Sequence, residues 1–298
     1  MVTDTLLVGP GWLGAAAALS LAAEARVHHG RVFCLSRTAR PAPAGCHAVA
    51  GDIVRGANDD ALLNALPERV ARLVVCVAPS SARGDSYAIY PAAARGAAAL
   101  ADALGVASLV YISSTGIYDR QDGSEVDERT IIAPANERVQ ALMDAELAVL
   151  ASATASRAVT VLRAAGLYGP GRDPGPRFAN GLTAPDTWCN FSWRDDVVSA
   201  MVHTLALPST GKGMVFNCTD NTPVQAGLIT QALTGRAATG DTAAAGAATT
   251  TGAVRAGRSN QRISSAALLA TGWAPSMPDI FAGLQALGHV LPGLEERA

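Results

Sequence analysis

Short runs of consecutive apolar residues alternate along this chain with longer stretches in which apolar positions recur at helical spacing. Residues 5–8 (Thr-Leu-Leu-Val) form a run that stops at Gly9, and residues 12–25 follow as an Ala/Leu-rich stretch without Pro, which predicts strand, tight turn and helix in that order. Residues 32–35 and 73–77 predict two further buried strands, 87–104 a long helix, and 108–113 the strand after it. Over 136–152 the residues Val139, Leu142, Met143, Leu147 and Leu150 share one helical face, and 159–162 is the next strand. Strands apolar along their whole length, separated by helices, predict an α/β fold with a parallel sheet covered on both faces.

Beyond Gly166 the texture changes to loops rich in Gly and Pro (Tyr168-Gly169-Pro170-Gly171, then Pro174-Gly175-Pro176) before a helix is predicted at 195–207. This break divides the chain into a first domain over 1–165 and a smaller C-terminal lobe over 166–298. Within the lobe, 236–258 is almost entirely Ala, Gly and Thr, too poor in bulky apolar groups to offset its ordering entropy, and is expected to be a mobile loop. Short closing helices are predicted at 264–270 and 276–287, with Trp273 packed in the lobe.

Composition narrows the partners. Of 298 residues 49% are hydrophobic, yet no apolar run approaches the roughly 18 residues of a membrane span. A formal charge of −2, from 23 basic and 25 acidic residues, leaves no electrostatic footprint for nucleic acid or anionic lipid. A small molecule is the expected partner. The five Cys residues are scattered and never paired as CxxC, and the five His residues show no ligand spacing, so neither a disulfide framework nor a metal site is expected. The first residues lack a basic region and run directly into a strand, which makes the cytoplasm the expected compartment.

The turn after the first strand reads Gly9-Pro10-Gly11-Trp12-Leu13-Gly14, a GxGxxG pattern between a strand and a helix. In that setting Gly9 permits a tight turn, Gly11 lets backbone N–H groups approach a pyrophosphate, and Gly14 allows close helix–sheet packing. The phosphates would sit at the helix N-terminus, where the macrodipole favours negative charge. The fold expected from these features is a Rossmann-type doubly wound sheet carrying a smaller substrate lobe, with a nicotinamide dinucleotide as cofactor. Where the second strand ends, an NAD site usually offers a carboxylate to the ribose; here the residues are Ser36 and Arg37. A guanidinium and a hydroxyl suit the 2′-phosphate of NADP, with Arg40 assisting. The alternative is a solvated arginine at a strand end, with NAD as the cofactor.

Further motifs follow in order: Tyr111-Ile112-Ser113-Ser114-Thr115-Gly116-Ile117-Tyr118, then Val126-Asp127-Glu128, then Leu162-Arg163-Ala164-Ala165-Gly166-Leu167-Tyr168-Gly169-Pro170-Gly171. In these the chain resembles the extended short-chain dehydrogenase/reductase superfamily of NAD-dependent epimerases and dehydratases. The resemblance implies that Asp52 and Ile53 contact the adenine and that Val77, Ala78 and Pro79 line the cofactor. It also implies that Ser113 lies beside the cofactor, that Ala164, Ala165 and Gly166 lie near the nicotinamide, and that Ser114 hydrogen-bonds the reacting oxygen. Arg262-Ile263-Ser264 followed by Gly272-Trp273-Ala274-Pro275, and an Arg at position 138, resemble the divergent bacterial YeeZ-like subgroup. Trp193-Arg194-Asp195-Asp196-Val197 resembles the stretch that opens a helix of the second lobe in these proteins.

One family feature is missing. The superfamily carries a Tyr and a Lys four positions apart on the helix after the Ser-Ser-Thr strand; here Arg138 and Leu142 hold those places, and 132–150 contains neither Tyr nor Lys. Leu142 cannot move a proton. Arg138 can bind an anion or stabilise an oxyanion but stays protonated, and it can equally be a partly exposed arginine. The candidate catalytic residues are therefore Ser114, Thr115, Tyr118 and Arg138, with Asp119 and Glu137 as further acids. Cys189 is a weaker candidate nucleophile, and Trp188, Phe191 and Trp193 are either pocket walls or core. Three functions remain open: an NADP-dependent oxidoreductase acting on a carbonyl or imine-like substrate without the relay, a cofactor-retaining epimerase or dehydratase, and a non-catalytic NADP-binding sensor or scaffold. The expected state is a monomer or homodimer.

Overall fold

The structure is a computed structural model and describes residues 3–80, 84–236 and 259–295; apart from Arg236, the segment 236–258 lies outside the described residues. In chain order the elements are β1 (Thr5–Val8), α1 (Trp12–Val27), β2 (Val32–Ser36), β3 (His47–Ala50), α2 (Asp60–Asn64), β4 (Arg72–Val75), α3 (Ile89–Ala103), β5 (Ser108–Ser114), β6 (Glu125–Val126), α4 (Glu137–Leu150), β7 (Ala158–Ala164) and β8 (Gly166–Tyr168). There follow α5 (Gly175–Ala179), β9 (Trp188–Cys189), β10 (Phe191–Trp193), α6 (Arg194–Leu205), β11 (Met214–Cys218), β12 (Val224–Gln225), α7 (Ala226–Thr234), β13 (Arg262–Ile263), α8 (Ala266–Leu269), α9 (Ile280–Ala286) and α10 (Pro292–Glu295).

Seven strands form one parallel sheet in the order β11-β7-β5-β4-β1-β2-β3. From β1 the chain winds outward to β2 and β3, then returns to β4 on the other side and continues to β5, β7 and β11. The fold is thus the doubly wound α/β sheet that the alternating pattern predicts. Val8 pairs with Leu35 on one side and with Val75 on the other, so the carboxyl ends of β1, β2 and β4 lie side by side. The direction of winding reverses between β1 and β4, which is where doubly wound sheets open the crevice that takes ligands.

The apolar runs are continuous because both faces of these strands are covered. Leu6, Leu7, Leu73, Val74 and Val75 are fully buried. The helices meet the sheet through alanines: Ala17, Ala18, Ala22 and Ala25 on α1, and Ala93, Ala94, Ala97 and Ala101 on α3, are all buried. Small side chains bring helix and sheet close together, so a chain with only 5% aromatic residues still fills its core.

The described residues divide into two compact units whose segments interleave. The first comprises Met1–Ile117, Ala133–Arg163 and Val197–Phe216; the second comprises Tyr118–Ile132, Ala164–Asp196 and Asn217–Ala298. The single sequence-derived boundary at 165/166 falls two residues after the Arg163/Ala164 junction, while 118–132 and 197–216 are exchanged across it. The second unit holds three two-stranded pairs (β8 with β10, β9 with β12, β6 with β13) and a core in which Tyr168 meets Phe191 and Trp193 edge to face, at ring-centroid distances of 5.6 and 5.1 Å. Trp273 is buried elsewhere in the second unit.

Several expected boundaries move. The strand expected over 73–77 ends at Val75, although the Cys76 amide still donates to the Val8 carbonyl at 2.9 Å. The closing helices shorten to Ala266–Leu269 and Ile280–Ala286, the latter starting where Asp279 Oδ1 accepts the Ala282 amide at 2.8 Å. Strands β3 and β11 and helix α7 lack a pattern strong enough to predict. No helix among the described residues is long and apolar enough to cross a membrane.

Candidate functional site

The glycine loop occupies the reversal point between β1 and β4. Gly9 has φ of 82°, a left-handed conformation, and a Cβ on it would lie 2.5 Å from the Cys76 carbonyl oxygen. A Cβ on Gly14 would overlap the Gly9 carbonyl oxygen. Both glycines are thus demanded by the protein's own packing. Gly11 is different: it is exposed, and nothing but the Gly9 oxygen, at 4.0 Å, comes near the place of its Cβ. The protein itself does not require Gly at this position, whereas a pyrophosphate lying against the backbone would. Gly11 also caps α1 without a side-chain hydrogen bond, and the first turn of α1 carries no acidic residue. The orphan N–H groups of that turn are therefore directed at a site suited to an anion. On these observations the loop fits a dinucleotide.

At the end of β2, Ser36 Oγ donates to the Thr38 carbonyl at 2.9 Å. The Arg37 guanidinium grips the Asp85 carboxylate with two bonds, at 3.2 and 3.1 Å. Asp52 Oδ1 accepts the Val54 amide at 3.0 Å, while the Ile53 side chain is buried in the core, leaving only its backbone for a ligand. Val77 and Pro79 are partly exposed and Ala78 is exposed in the segment that continues β4. These residues follow the carboxyl ends of β2, β3 and β4, on either side of the glycine loop after β1.

At the end of β5, Ser114 Oγ accepts a hydrogen bond from the Gly116 amide at 3.1 Å and another from Arg138 Nη2 at 3.3 Å. The serine thereby retains its own proton to donate. The Arg138 guanidinium lies flat against Gly116, where a Cβ would stand 2.7 Å from Nη2. Tyr90 lies on α3, which packs on α4, within range of the charge of the same guanidinium. Burial pushes the Tyr90 phenol up from its ordinary value and the adjacent Arg138 charge pulls it back. Leu142 is fully buried, so the position that would hold the family's Lys belongs to the core.

Ser113 faces the other way. Its Oγ donates to Glu146 Oε1 at 2.5 Å, and Arg163 closes on both Glu146 oxygens, with Nη2 to Oε2 at 2.6 Å. All three side chains are buried. This assembly ties α4 to β5 and β7 and so fixes how Arg138 is presented, while taking up the Ser113 hydroxyl.

No family model matches the chain. Protein YeeZ of Escherichia coli (strain K12) is 30% identical over 217 residues, which span 71% of this chain and 75% of YeeZ. The chain belongs to the YeeZ-like branch of the NAD-dependent epimerase/dehydratase superfamily. Among solved structures, a Methylobacillus flagellatus protein assigned to the NAD-dependent epimerases/dehydratases is 26% identical, with a TM-score of 0.70 and full coverage of both chains. The fold also matches MoeE5, solved with UDP-glucose and NAD, at 21% identity, TM-score 0.71 and 95% of this chain against 96% of that one. WbmG of Bordetella bronchiseptica, solved with NAD, matches at 17% identity and TM-score 0.71, covering 96% of this chain and 93% of WbmG.

In this YeeZ-like chain the remaining candidates, apart from Thr115 and Glu137, fall in the second unit. Ala165 donates its amide to Ser192 Oγ at 2.9 Å, and Gly166 donates to the Asn190 carbonyl at 3.1 Å, which fixes the turn that follows Ala164. The Tyr118 hydroxyl donates to Asn217 Oδ1 at 2.8 Å in a buried setting, a structural bond for a residue considered above as an acid. Thr115 is buried and Glu137 is exposed. Phe191 and Trp193 are core, Trp188 lies against the Arg262 guanidinium at 5.4 Å, and burial raises the Cys189 thiol to about 12, far from a reactive thiolate. No group of three or more His, Cys, Asp or Glu side chains able to hold a metal occurs among the described residues.

Two groups were invisible in the sequence pattern. Tyr90 sits on the predicted helix 87–104 with nothing in its spacing to connect it to Arg138. Asp220 follows β11 in a turn that no motif marks, and burial raises its carboxyl to about 7.

Proposed function

We propose that the first unit binds a nicotinamide dinucleotide, NADP(H) in preference to NAD(H), and that the protein is an oxidoreductase acting on a small carbonyl or imine-like substrate. The observation that carries this reading is the glycine loop, in which Gly9 and Gly14 serve internal packing while Gly11 lies open at an uncapped helix N-terminus. When bound, the dinucleotide supplies or accepts hydride. The protein's own part is to hold the pyrophosphate on the α1 N-terminus, to offer Ser114 as a hydrogen-bond donor to the reacting oxygen, and to hold Arg138 where negative charge develops on that oxygen. An iminium substrate already carries the charge that attracts hydride, so it would need no Tyr–Lys pair.

The NADP preference rests on Arg37 and on the lack of a carboxylate at 36–37. Asp85 opposes it, because a 2′-phosphate must draw Arg37 away from that carboxylate. Isothermal titration with NADPH, NADP+, NADH and NAD+ tests the binding claim, and absence of binding to all four refutes it. Arg37→Asp is expected to reverse the preference towards NAD(H), and Asp85→Asn to tighten NADP(H). An unchanged preference in both variants removes the 2′-phosphate role.

A second reading, a cofactor-retaining epimerase or dehydratase, is favoured by the likeness to MoeE5 solved with UDP-glucose and NAD. It predicts that the dinucleotide stays bound through turnover with no net consumption of NADPH. Net consumption with a carbonyl or imine substrate decides for the oxidoreductase.

A further inference from the structure

Arg31, Arg37, Arg72, Arg157, Arg163 and Arg262 each hold a carboxylate at 3.1 Å or closer. Arg138 is half-buried, yet no carboxylate among the described residues pairs with it. It stands in the first turn of α4, at the positive end of the helix macrodipole, where a further cation is disfavoured. The acidic side chain of that turn, Glu137, is exposed. The guanidinium is nonetheless held in place. One face lies on Gly116, where a Cβ would stand 2.7 Å from Nη2 and 2.8 Å from Nη1, and Nη2 donates to Ser114 Oγ at 3.3 Å. Gly116 has no left-handed φ, so its missing Cβ serves the guanidinium rather than the turn. Ser114 ends β5, which pairs with β4 through Tyr111 and Val75, and β4 leads into 77–79 beside the glycine loop. An uncompensated positive charge thus stands next to the hydroxyl assigned to the reacting oxygen.

We propose that Arg138 is the receptor for a carboxylate of the substrate, carried next to the carbon that takes hydride, so that the substrate class is a 2-oxo acid or its imine. This names the substrate of the hydride-transfer reading above and rests on that reading. In a planar 2-oxo acid the carbonyl oxygen and one carboxylate oxygen lie side by side. Ser114 Oγ and Arg138 Nη2, in contact at 3.3 Å, are two neighbouring groups of the kind that such a pair of oxygens needs. The planar fork of the guanidinium orients the carboxylate, and the seat on Gly116 keeps the fork from turning away. No bond is made or broken at Arg138. It stays charged, holds the anion, and faces the oxygen on which negative charge develops. A phosphate ester fits this pair of groups less well, because its ester oxygen sets the anionic oxygens farther from a reducible carbonyl than a directly attached carboxylate does.

The test uses the full chain and begins without turnover. Oxamate, a non-reducible mimic of a 2-oxo acid, and oxamide, its uncharged counterpart, are titrated calorimetrically into the protein saturated with NADP+ or NAD+. Oxamate is expected to bind the parent, and oxamide to bind about tenfold more weakly or less. Arg138→Met is expected to weaken oxamate about 10- to 100-fold, and Arg138→Lys to recover part of that loss, with dinucleotide affinity and urea midpoint unchanged. Gly116→Ala keeps the charge but displaces the guanidinium, and is expected to weaken oxamate in the same direction. No oxamate binding by the parent, equal affinity in the parent and all three variants, or equal binding of oxamate and oxamide overturns the proposal. Inorganic phosphate binding more tightly than oxamate overturns the carboxylate assignment. NADPH and NADH consumption is then followed on 2-oxo acids, their imines and the matching neutral ketones and aldehydes. Faster turnover of the neutral compounds overturns the role of Arg138 and leaves the hydride-transfer reading standing. No turnover of any panel member overturns both.

Discussion

The carboxyl of Asp220 makes the stability of the second unit depend on pH in a direction that can be calculated. Its side chain is 7% exposed, Oδ1 accepts the Thr222 amide at 3.0 Å, and Oδ2 has no hydrogen-bond partner. Tyr168 and the carboxylates of Asp279 and Asp196 surround it. Asp279 is engaged as the cap of α9, and Asp196 accepts from the Ser276 amide, the Ser276 hydroxyl and the Met277 amide at 2.7, 2.6 and 3.0 Å. Those donors engage the other two carboxylates, whereas Asp220 Oδ2 has none. Burial, reinforced by Asp279 and Asp196, raises its carboxyl to about 7, against about 3.9 in an unfolded chain. Between those values the folded state holds a proton that the unfolded state has released. Stability is therefore greatest at low pH, falls by about 1.4 kcal/mol per unit as pH rises, and levels off above the folded value. Between pH 5 and pH 8 this group alone removes about 3 kcal/mol. Asp220→Asn abolishes the titration and keeps the shape, but leaves an amide without a partner where Oδ2 stood, at a cost of about 1–3 kcal/mol. The variant is expected to be the less stable form at pH 5 and the equal or more stable form at pH 8. Urea unfolding followed by tryptophan fluorescence reads this directly, because Trp188, Trp193 and Trp273 all lie in the second unit. A gap between parent and variant that is the same at both pH values refutes the reasoning.

The glycine loop and the buried ion pair give two further tests. Gly14→Ala forces a methyl group into the Gly9 carbonyl and is expected to lower stability by about 1–3 kcal/mol and to abolish dinucleotide binding, measured by urea midpoint and by calorimetric titration. Gly11→Ala, by contrast, meets open space inside the protein, so it is expected to leave the urea midpoint in place while weakening the dinucleotide. Glu146→Gln leaves Arg163 as a buried charge without its counter-ion and is expected to cost about 3–5 kcal/mol. Glu146→Leu combined with Arg163→Met is expected to recover most of that loss in the same urea assay, since the pair is then removed together.

The sequence by itself determined the order of layers. Strands buried on both faces must be apolar along their whole length, and helices lying on them must present small residues, so β1, α1, β2, β4, α3, β5, α4 and β7 were all readable from local pattern. Gly9 and Gly14 were readable too, because a left-handed turn and a helix pressed on a strand each demand the missing Cβ. The open position of Gly11 was implied by the motif, but only the fold shows that nothing inside the protein explains it. What the tertiary structure alone decided concerns side chains brought together from distant segments. It gave Arg37 to Asp85, Ser113 to Glu146, and Tyr118 to Asn217, and it placed Arg138 on Ser114 although they belong to different elements. The burial that raises Asp220 is likewise set by groups from three separate stretches of chain. Local periodicity records which face of an element is covered, whereas the partner of a polar group depends on which elements the fold makes neighbours.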